Sequence, residues 1–191
     1  MKGGLIVLIL IVIVVLVFGG HLMSDRNRLV AERNDIDARW AQVENDMKRR
    51  ADLIPNLVET VKGYAKQEQT VIGEIANARA ALLSAAGRQD RQGEISANTQ
   101  LSGALGRLLV LQERYPDLKS NENFLRLQDE LAGTENRIAV DRRDYNEAIR
   151  KYNVEIEQFP QNIAASLFGF HNDNNYFKIS EQDARVPQVK F

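Results

Sequence analysis

Four charged residues fall where helical periodicity expects apolar ones. Arg33, Glu68, Glu135 and Arg142 continue the apolar stripes of their segments in steps of three and four. Two bases and two acids facing one interior could form an active or ion-conducting site. The same four could be a mutually paired network that sets helix register, because an unpaired buried charge is very costly. Long side chains could also snorkel to water. Register or snorkelling is the ordinary outcome, so the four are read as a candidate buried charge network. Other chemistry lacks its residues. His21 and His171 are the two histidines, and both lie outside the periodic segments. Glu-x-x-His metal pairs, an axial haem ligand and a His base for a serine nucleophile therefore do not arise. The chain has no cysteine, which removes disulfides, thiol catalysis and Cys-ligated zinc. No P-loop and no G-x-G-x-x-G after a strand is present. The sequence reads as having no catalytic residue, no cofactor and no metal.

A second candidate is the stretch from Lys48-Arg49-Arg50 to Asn56. A basic run of this kind can dock an acidic partner, or it can complement the dipole at a helix C-terminus. Pro55 lacks an N–H donor and suits a first helical turn. Asp52 can cap that turn. Arg49, Arg50, Asp52, Pro55 and Asn56 are thus expected to form a turn, with Leu53, Ile54, Leu57 and Val58 packed beneath it. They form a candidate interaction tip.

The elements that must position these residues are helical. Between about Ser24 and Ala51, Leu29, Ile36, Trp40, Val43 and Met47 recur at steps of 7, 4, 3 and 4. Similar stripes run through 55–86 (Leu57, Val61, Tyr64, Val71, Ile75, Ala78, Leu82), 91–115 (Ile95, Leu101, Leu105, Leu108, Tyr115) and 121–158 (Phe124, Leu131, Ile138, Tyr145, Ile149, Tyr152, Ile156). Gly87 suits a helix end, Asp90 and Asn121 suit caps, and Pro116 stops a helix. Gly103 and Gly106 lie inside a helix, where they would permit close helix contact. No segment alternates as a strand would. The fold class is all-α. An N-terminal transmembrane helix (1–23) is followed by an antiparallel up-down four-helix bundle (24–159), whose helices are long enough for coiled-coil packing. Residues 160–191 form an apolar capping segment and an irregular tail.

Leu5 to Phe18 reads LIVLILIVIVVLVF, and Gly3 to Met23 supplies 21 residues without a charge. A helix needs roughly 20 residues to cross the hydrocarbon core. No small-residue cleavage pattern follows, so the run is read as an anchor rather than a cleaved signal. The segment FPQNIAASLFGF is the second most apolar stretch. Its Phe159, Ile163, Leu167, Phe168 and Phe170 either cap the end of the bundle core or touch the lipid interface. The net charge of −1, from 25 basic and 26 acidic residues, provides no field for nucleic acid. For sidedness, Lys2 stands before the anchor and Arg26, Arg28, Arg33 and Arg39 after it. The count favours a cytoplasmic body. A short Lys-bearing N-terminus is also common for an anchor with its body outside, so the side stays undecided with a slight lean to the cytoplasm.

The segment RRADLIPNLVETVKGY, from Arg49 to Tyr64, resembles the signature of the LemA family. NRLV at 27–30, Trp40, NARA at 77–80 and ENRIAVDRRDYNEAIRKYN at 135–153 agree with it, as do FPQNIAASLFGF and the closing Pro187-x-Val189-x-Phe191. The likeness covers nearly the whole chain in order. One departure is Arg26, where the family tends to have Tyr, and this removes a membrane-interface aromatic. The resemblance implies a bacterial single-pass inner-membrane protein with an antiparallel helical bundle and no established reaction. Some members are linked to membrane proteases or to magnetosome formation. No catalytic residue carries over. The expected function is a membrane-anchored scaffold or adaptor that self-associates as a homo-oligomer and has lipid as its first partner. The alternative is a regulatory or sensor subunit of a membrane protease or envelope-stress system.

Overall fold

The computed structural model describes residues 2–177, and among them every regular element is a helix. In chain order these are α1 (Lys2–Tyr64), α2 (Gln69–Gly87), α3 (Arg91–Leu111), a 3-10 turn (Gln112–Arg114), α4 (Pro116–Lys119), α5 (Glu122–Glu157) and α6 (Gln161–Phe168). The tail beyond 177, with its Pro187-x-Val189-x-Phe191 close, lies outside the described residues.

The turn expected at 52–55 is absent. Pro55 sits inside α1, and the helix runs on to Tyr64. A proline in a helix interior removes one backbone bond and orphans the carbonyl four residues earlier, which here belongs to Ala51. Arg79 Nε donates to that oxygen at 2.8 Å. A side chain from α2 thus supplies what Pro55 cannot. The break falls instead at 65–68, closed by Ala65 N–H to the Val61 carbonyl at 2.8 Å and Glu68 N–H to the Ala65 carbonyl at 3.1 Å. The first two expected segments, 24–51 and 55–86, are therefore divided differently.

The later boundaries follow capping chemistry. Asp90 precedes α3, and its carboxylate accepts from Gly93 N–H at 2.9 Å. A Cβ on Gly93 would collide with that same carboxylate, so the cap needs glycine there. Asn121 Oδ1 accepts from Phe124 N–H at 3.0 Å at the start of α5. Pro116 does not directly end α3. The helix stops at Leu111, and Pro116 opens α4. Gly103 and Gly106 do not mediate close packing: an added Cβ would meet nothing within 4 Å at Gly106, and only Arg107 Nη1, at 3.9 Å, at Gly103.

The chain divides into two compact units. The first holds residues 2–40 and 144–176. Here α1 and α5 run antiparallel: Arg28 pairs with Glu155 at 2.6 Å, Glu32 with Lys151 at 2.7 Å, and Arg39 with Asp144 at 3.9 Å. Each advance along α1 is matched by an equal retreat along α5. Leu29, Ile36, Ile149, Tyr152 and Ile156 are buried. The Trp40 and Tyr145 rings meet at 5.2 Å between centroids. From Leu5 to Phe18 every side chain is about half or more exposed. That apolar stretch of α1 is long enough to cross a membrane.

The second unit holds residues 41–143 and 177. It gathers helical stretches from α1, α2, α3 and α5 around Val43, Met47, Ile54, Leu57, Val61, Ile75, Leu82, Leu101, Leu108, Phe124 and Ile138. Asp46 faces Arg137 and Arg50 faces Glu135, so α1 and α5 are antiparallel within this unit also. Nearly all of the periodic stripe residues are buried. Tyr64, Val71 and Tyr115 are not, because each lies beside a break, where a helix no longer has a neighbour covering its stripe.

Candidate functional site

The structure does not bring the four stripe charges together. Arg33 is exposed. Glu68 occupies the position before α2, half-buried, where it accepts from Tyr115 Oη at 3.0 Å and pairs with Arg114 at 3.3 Å. Arg142 places its guanidinium 5.0 Å from the centre of the Phe177 ring. Glu135 alone meets a buried charge, and its partner is Arg50. The shift has a physical cause. Once Pro55 stays inside α1 and the break moves to 65–68, Glu68 leaves the helix interior, and its place in the stripe disappears.

The expected tip is also redistributed. Arg49, Asp52, Pro55 and Asn56 are exposed along an unbroken helix rather than at a turn, and Arg50 points inward with only 3% of its surface accessible. Its Nη1 lies 2.6 Å from Glu135 Oε2, 3.0 Å from Asn98 Oδ1 and 2.9 Å from Ser102 Oγ. Asn98 and Ser102 stand one turn apart on α3, so one face of that helix presents both acceptors. Nη1 donates to Asn98 and Ser102 and is ion-paired with Glu135, while the buried Nε and Glu135 Oε2 make no hydrogen bond. Burial draws the Arg50 pKa down, and the Glu135 carboxylate pushes it partly back. Arg50, Ser102 and Glu135 also edge a cavity of about 350 Å³, which Leu57, Leu105 and Phe124 help to line.

A second buried charge, Glu94, is 1% exposed. Burial raises its pKa to about 7, with further repulsion from Glu44 and Asp90 and a smaller opposing pull from Arg91. No hydrogen bond reaches its Oε2. Among the described residues, no group of three or more His, Cys, Asp or Glu side chains could hold a metal ion. Through its contacts Arg50 links α1 to α3 and α5.

The third candidate group surrounds α6. Ala164 and Ala165 are its buried side, while Phe159, Ile163 and Leu167 are exposed and Phe168 and Phe170 half-buried. Arg26 lies over the Phe168 ring at 5.6 Å.

Sequence reasoning missed Arg79, Asn98, Ser102, Glu94 and the Arg28–Glu155 and Glu32–Lys151 pairs. One signal was available for Arg79. A proline that stays within a helix needs an outside donor four residues back. The other contacts carry no local signal, because they are set by which helices become neighbours.

Among the described residues, an all-helical body following one apolar stretch long enough to cross a membrane defines a class of membrane-associated helical proteins. The chain belongs to the LemA family, whose model matches residues 39–191. It is similar to Magnetosome protein MamQ 2 of Paramagnetospirillum magneticum, with 29% identity over 186 residues, covering 85% of this chain and 68% of that protein. Magnetosome protein MamQ of Magnetospirillum gryphiswaldense shares 27% identity over 193 residues, covering 88% of this chain and 71% of its own. Protein LemA of Metamycoplasma hominis shares 24% over 147 residues, covering 77% and 66%. The family match takes in both the Pro55 segment and NARA. In the structure these two are joined by the Arg79–Ala51 hydrogen bond.

Proposed function

We propose that this protein is a membrane-anchored scaffold or adaptor that acts by protein–protein contact, self-associates and performs no catalysis of its own. Gly3 to Met23 crosses the bacterial cytoplasmic membrane once, and the helical body presents the surface that partners meet. The observation that carries this reading is how the inward-facing charges are spent. Arg50, Arg79, Asp46 and Glu155 each bond across to another helix. A body whose polar interior serves register is built to present a rigid surface. Relatives named as magnetosome proteins support a role at a membrane-bound assembly.

The test uses a photoreactive residue at Asn56, exposed on α1 within the family signature. Irradiation of full-length protein in cells is expected to capture a second copy of the chain. Capture of a membrane protease in its place would replace this reading with that of a regulatory subunit. Full-length protein that stays monomeric in several mild detergents would remove self-association.

A further inference from the structure

The apolar face of α6 has no partner within its unit. Ile163 and Leu167 are one turn apart and share a face, and Phe159 precedes the helix. Their exposures are 39%, 65% and 78%. Three large apolar side chains left in water are costly, at roughly 25 cal/mol per Å² of apolar surface. The opposite side of α6 is small and closed: Ala164 and Ala165 are buried against the rest of the unit. Gly169, with φ 72°, ends the helix, and its N–H and that of Phe170 both return to the Ala165 carbonyl. The helix is therefore fixed with its apolar face outward.

Its location identifies what covers that face. Phe168 lies beneath the Arg26 guanidinium at 5.6 Å. Arg26 follows Met23, the last apolar residue of the proposed span, by three positions on the same helix. At 1.5 Å per residue this is about 5 Å along α1. The polar layer on each side of a bilayer is roughly 5–7 Å deep. A residue 5 Å past the hydrocarbon edge stands within that layer, and Arg26 holds α6 at the same level. The segment has the composition for this depth, with Phe and Leu outward and the uncharged Gln161, Asn162 and Ser166 beside them. Interfacial helices bury their apolar side roughly 5–10 Å into the boundary between headgroups and acyl chains.

We propose that α6, led by Phe159, is an interfacial helix that lays Phe159, Ile163 and Leu167 into the acyl boundary of the leaflet from which α1 emerges. Lipid is its occupant. The protein then holds the membrane twice, through the span and through α6. Two contacts separated along the membrane plane resist rotation and tilt of the body, which a single helix does not. This rests on the reading of Gly3 to Met23 as a membrane span.

The native chain has no cysteine, so single reporters can be placed cleanly. Full-length protein carrying Val12→Cys, Ile163→Cys, Leu167→Cys or Ser120→Cys would be labelled with an environment-sensitive fluorophore. Each would be reconstituted into vesicles of phosphatidylcholine and phosphatidylglycerol. Nitroxide lipids would carry the spin label either near the headgroup or deep in the acyl chain. The expected result is that deep nitroxides quench Val12, shallow nitroxides quench Ile163 and Leu167, and only aqueous iodide quenches Ser120. Aqueous quenching of both α6 reporters while Val12 remains lipid-quenched would overturn the α6 proposal alone. Blue-shifted α6 reporters that neither lipid nor iodide quenches, and that cross-link between copies, would overturn it in favour of a second chain on that face. Failure of Val12 to be quenched by deep nitroxides would overturn the span and the α6 contact together.

Discussion

At Arg50 the second unit buries the cation of an ion pair, whereas the close pairs between α1 and α5 in the first unit bury the acid. In the unit of residues 2–40 and 144–176 the acids are inside: Glu155 and Glu32 have side-chain exposures of 9% and 13%, whereas Arg28 and Lys151 are more than half exposed. In the unit of residues 41–143 Asp46 follows the same pattern, 9% exposed against 47% for Arg137, but the arrangement at Arg50 is reversed, with the guanidinium 4% exposed and Glu135 41% exposed. A long cation can cover an acid from outside while its own charge stays hydrated. A buried guanidinium cannot escape, and it brings five donors that must be met. Hence the first unit manages with single pairs along its helix edge, and the second surrounds Arg50 with a carboxylate, an amide and a hydroxyl. The cost of losing one partner should follow from which member is left buried.

The largest effect should come from stranding Arg50. Glu135→Leu is expected to lower stability by about 3 kcal/mol, since it leaves a buried cation with neutral acceptors only. Arg50→Met should cost clearly less, because Glu135 is exposed enough to turn to water. Urea unfolding of the two variants measures the difference, and equal losses would break the distinction between buried and exposed members.

Glu94 sharpens the comparison, being a buried acid whose pKa is raised rather than matched by a cation. Its carboxyl is favoured in the protonated form by the fold, so its contribution is fully present below the unfolded value near 4.5 and is lost as pH rises to about 7. The span of that loss corresponds to as much as about 3 kcal/mol. Glu94→Gln should therefore match the parent near pH 4 and exceed its stability at pH 8. Thermal unfolding across that range, with no gain at pH 8, would mean that the carboxylate is hydrated in the folded state.

The Arg79–Ala51 bond offers an intermediate case, a cation spent on a backbone carbonyl. Arg79→Met should cost about 2 kcal/mol, the range of a hydrogen bond to a charged group. In a Pro55→Ala background the helix can satisfy the Ala51 carbonyl itself, and the Arg79→Met loss should shrink to a few tenths of a kcal/mol. A double-mutant cycle that shows no coupling would assign Arg79 another role.

The smallest effect belongs to the first unit. Glu155→Gln leaves Arg28, 55% exposed, free to turn to water and should cost about 1 kcal/mol or less, falling as salt is added. A loss as large as that of Glu135→Leu would show that the position of the buried member does not govern these pairs.

The helical class, the core and the apolar run were determined by the sequence alone, because periodicity at 3.6 residues records which side of a helix meets its neighbours. Leu29, Trp40, Met47, Leu101, Ile138 and Tyr145 are buried as their spacing requires. Asp90 and Asn121 cap the helices they precede, since a cap needs only its own three following residues. The tertiary structure alone decided whether Pro55 breaks the chain and which charges go inside. A proline removes a donor locally, but the replacement came from Arg79, 28 residues away in sequence. Arg50 and Arg49 are neighbours of one type, yet one is buried and the other exposed. Asn98 and Ser102 on α3 and Glu135 on α5 make that difference. Hydrophobic burial leaves a periodic trace in the chain. The satisfaction of a polar group does not, because its partner can come from any helix that packing brings within reach.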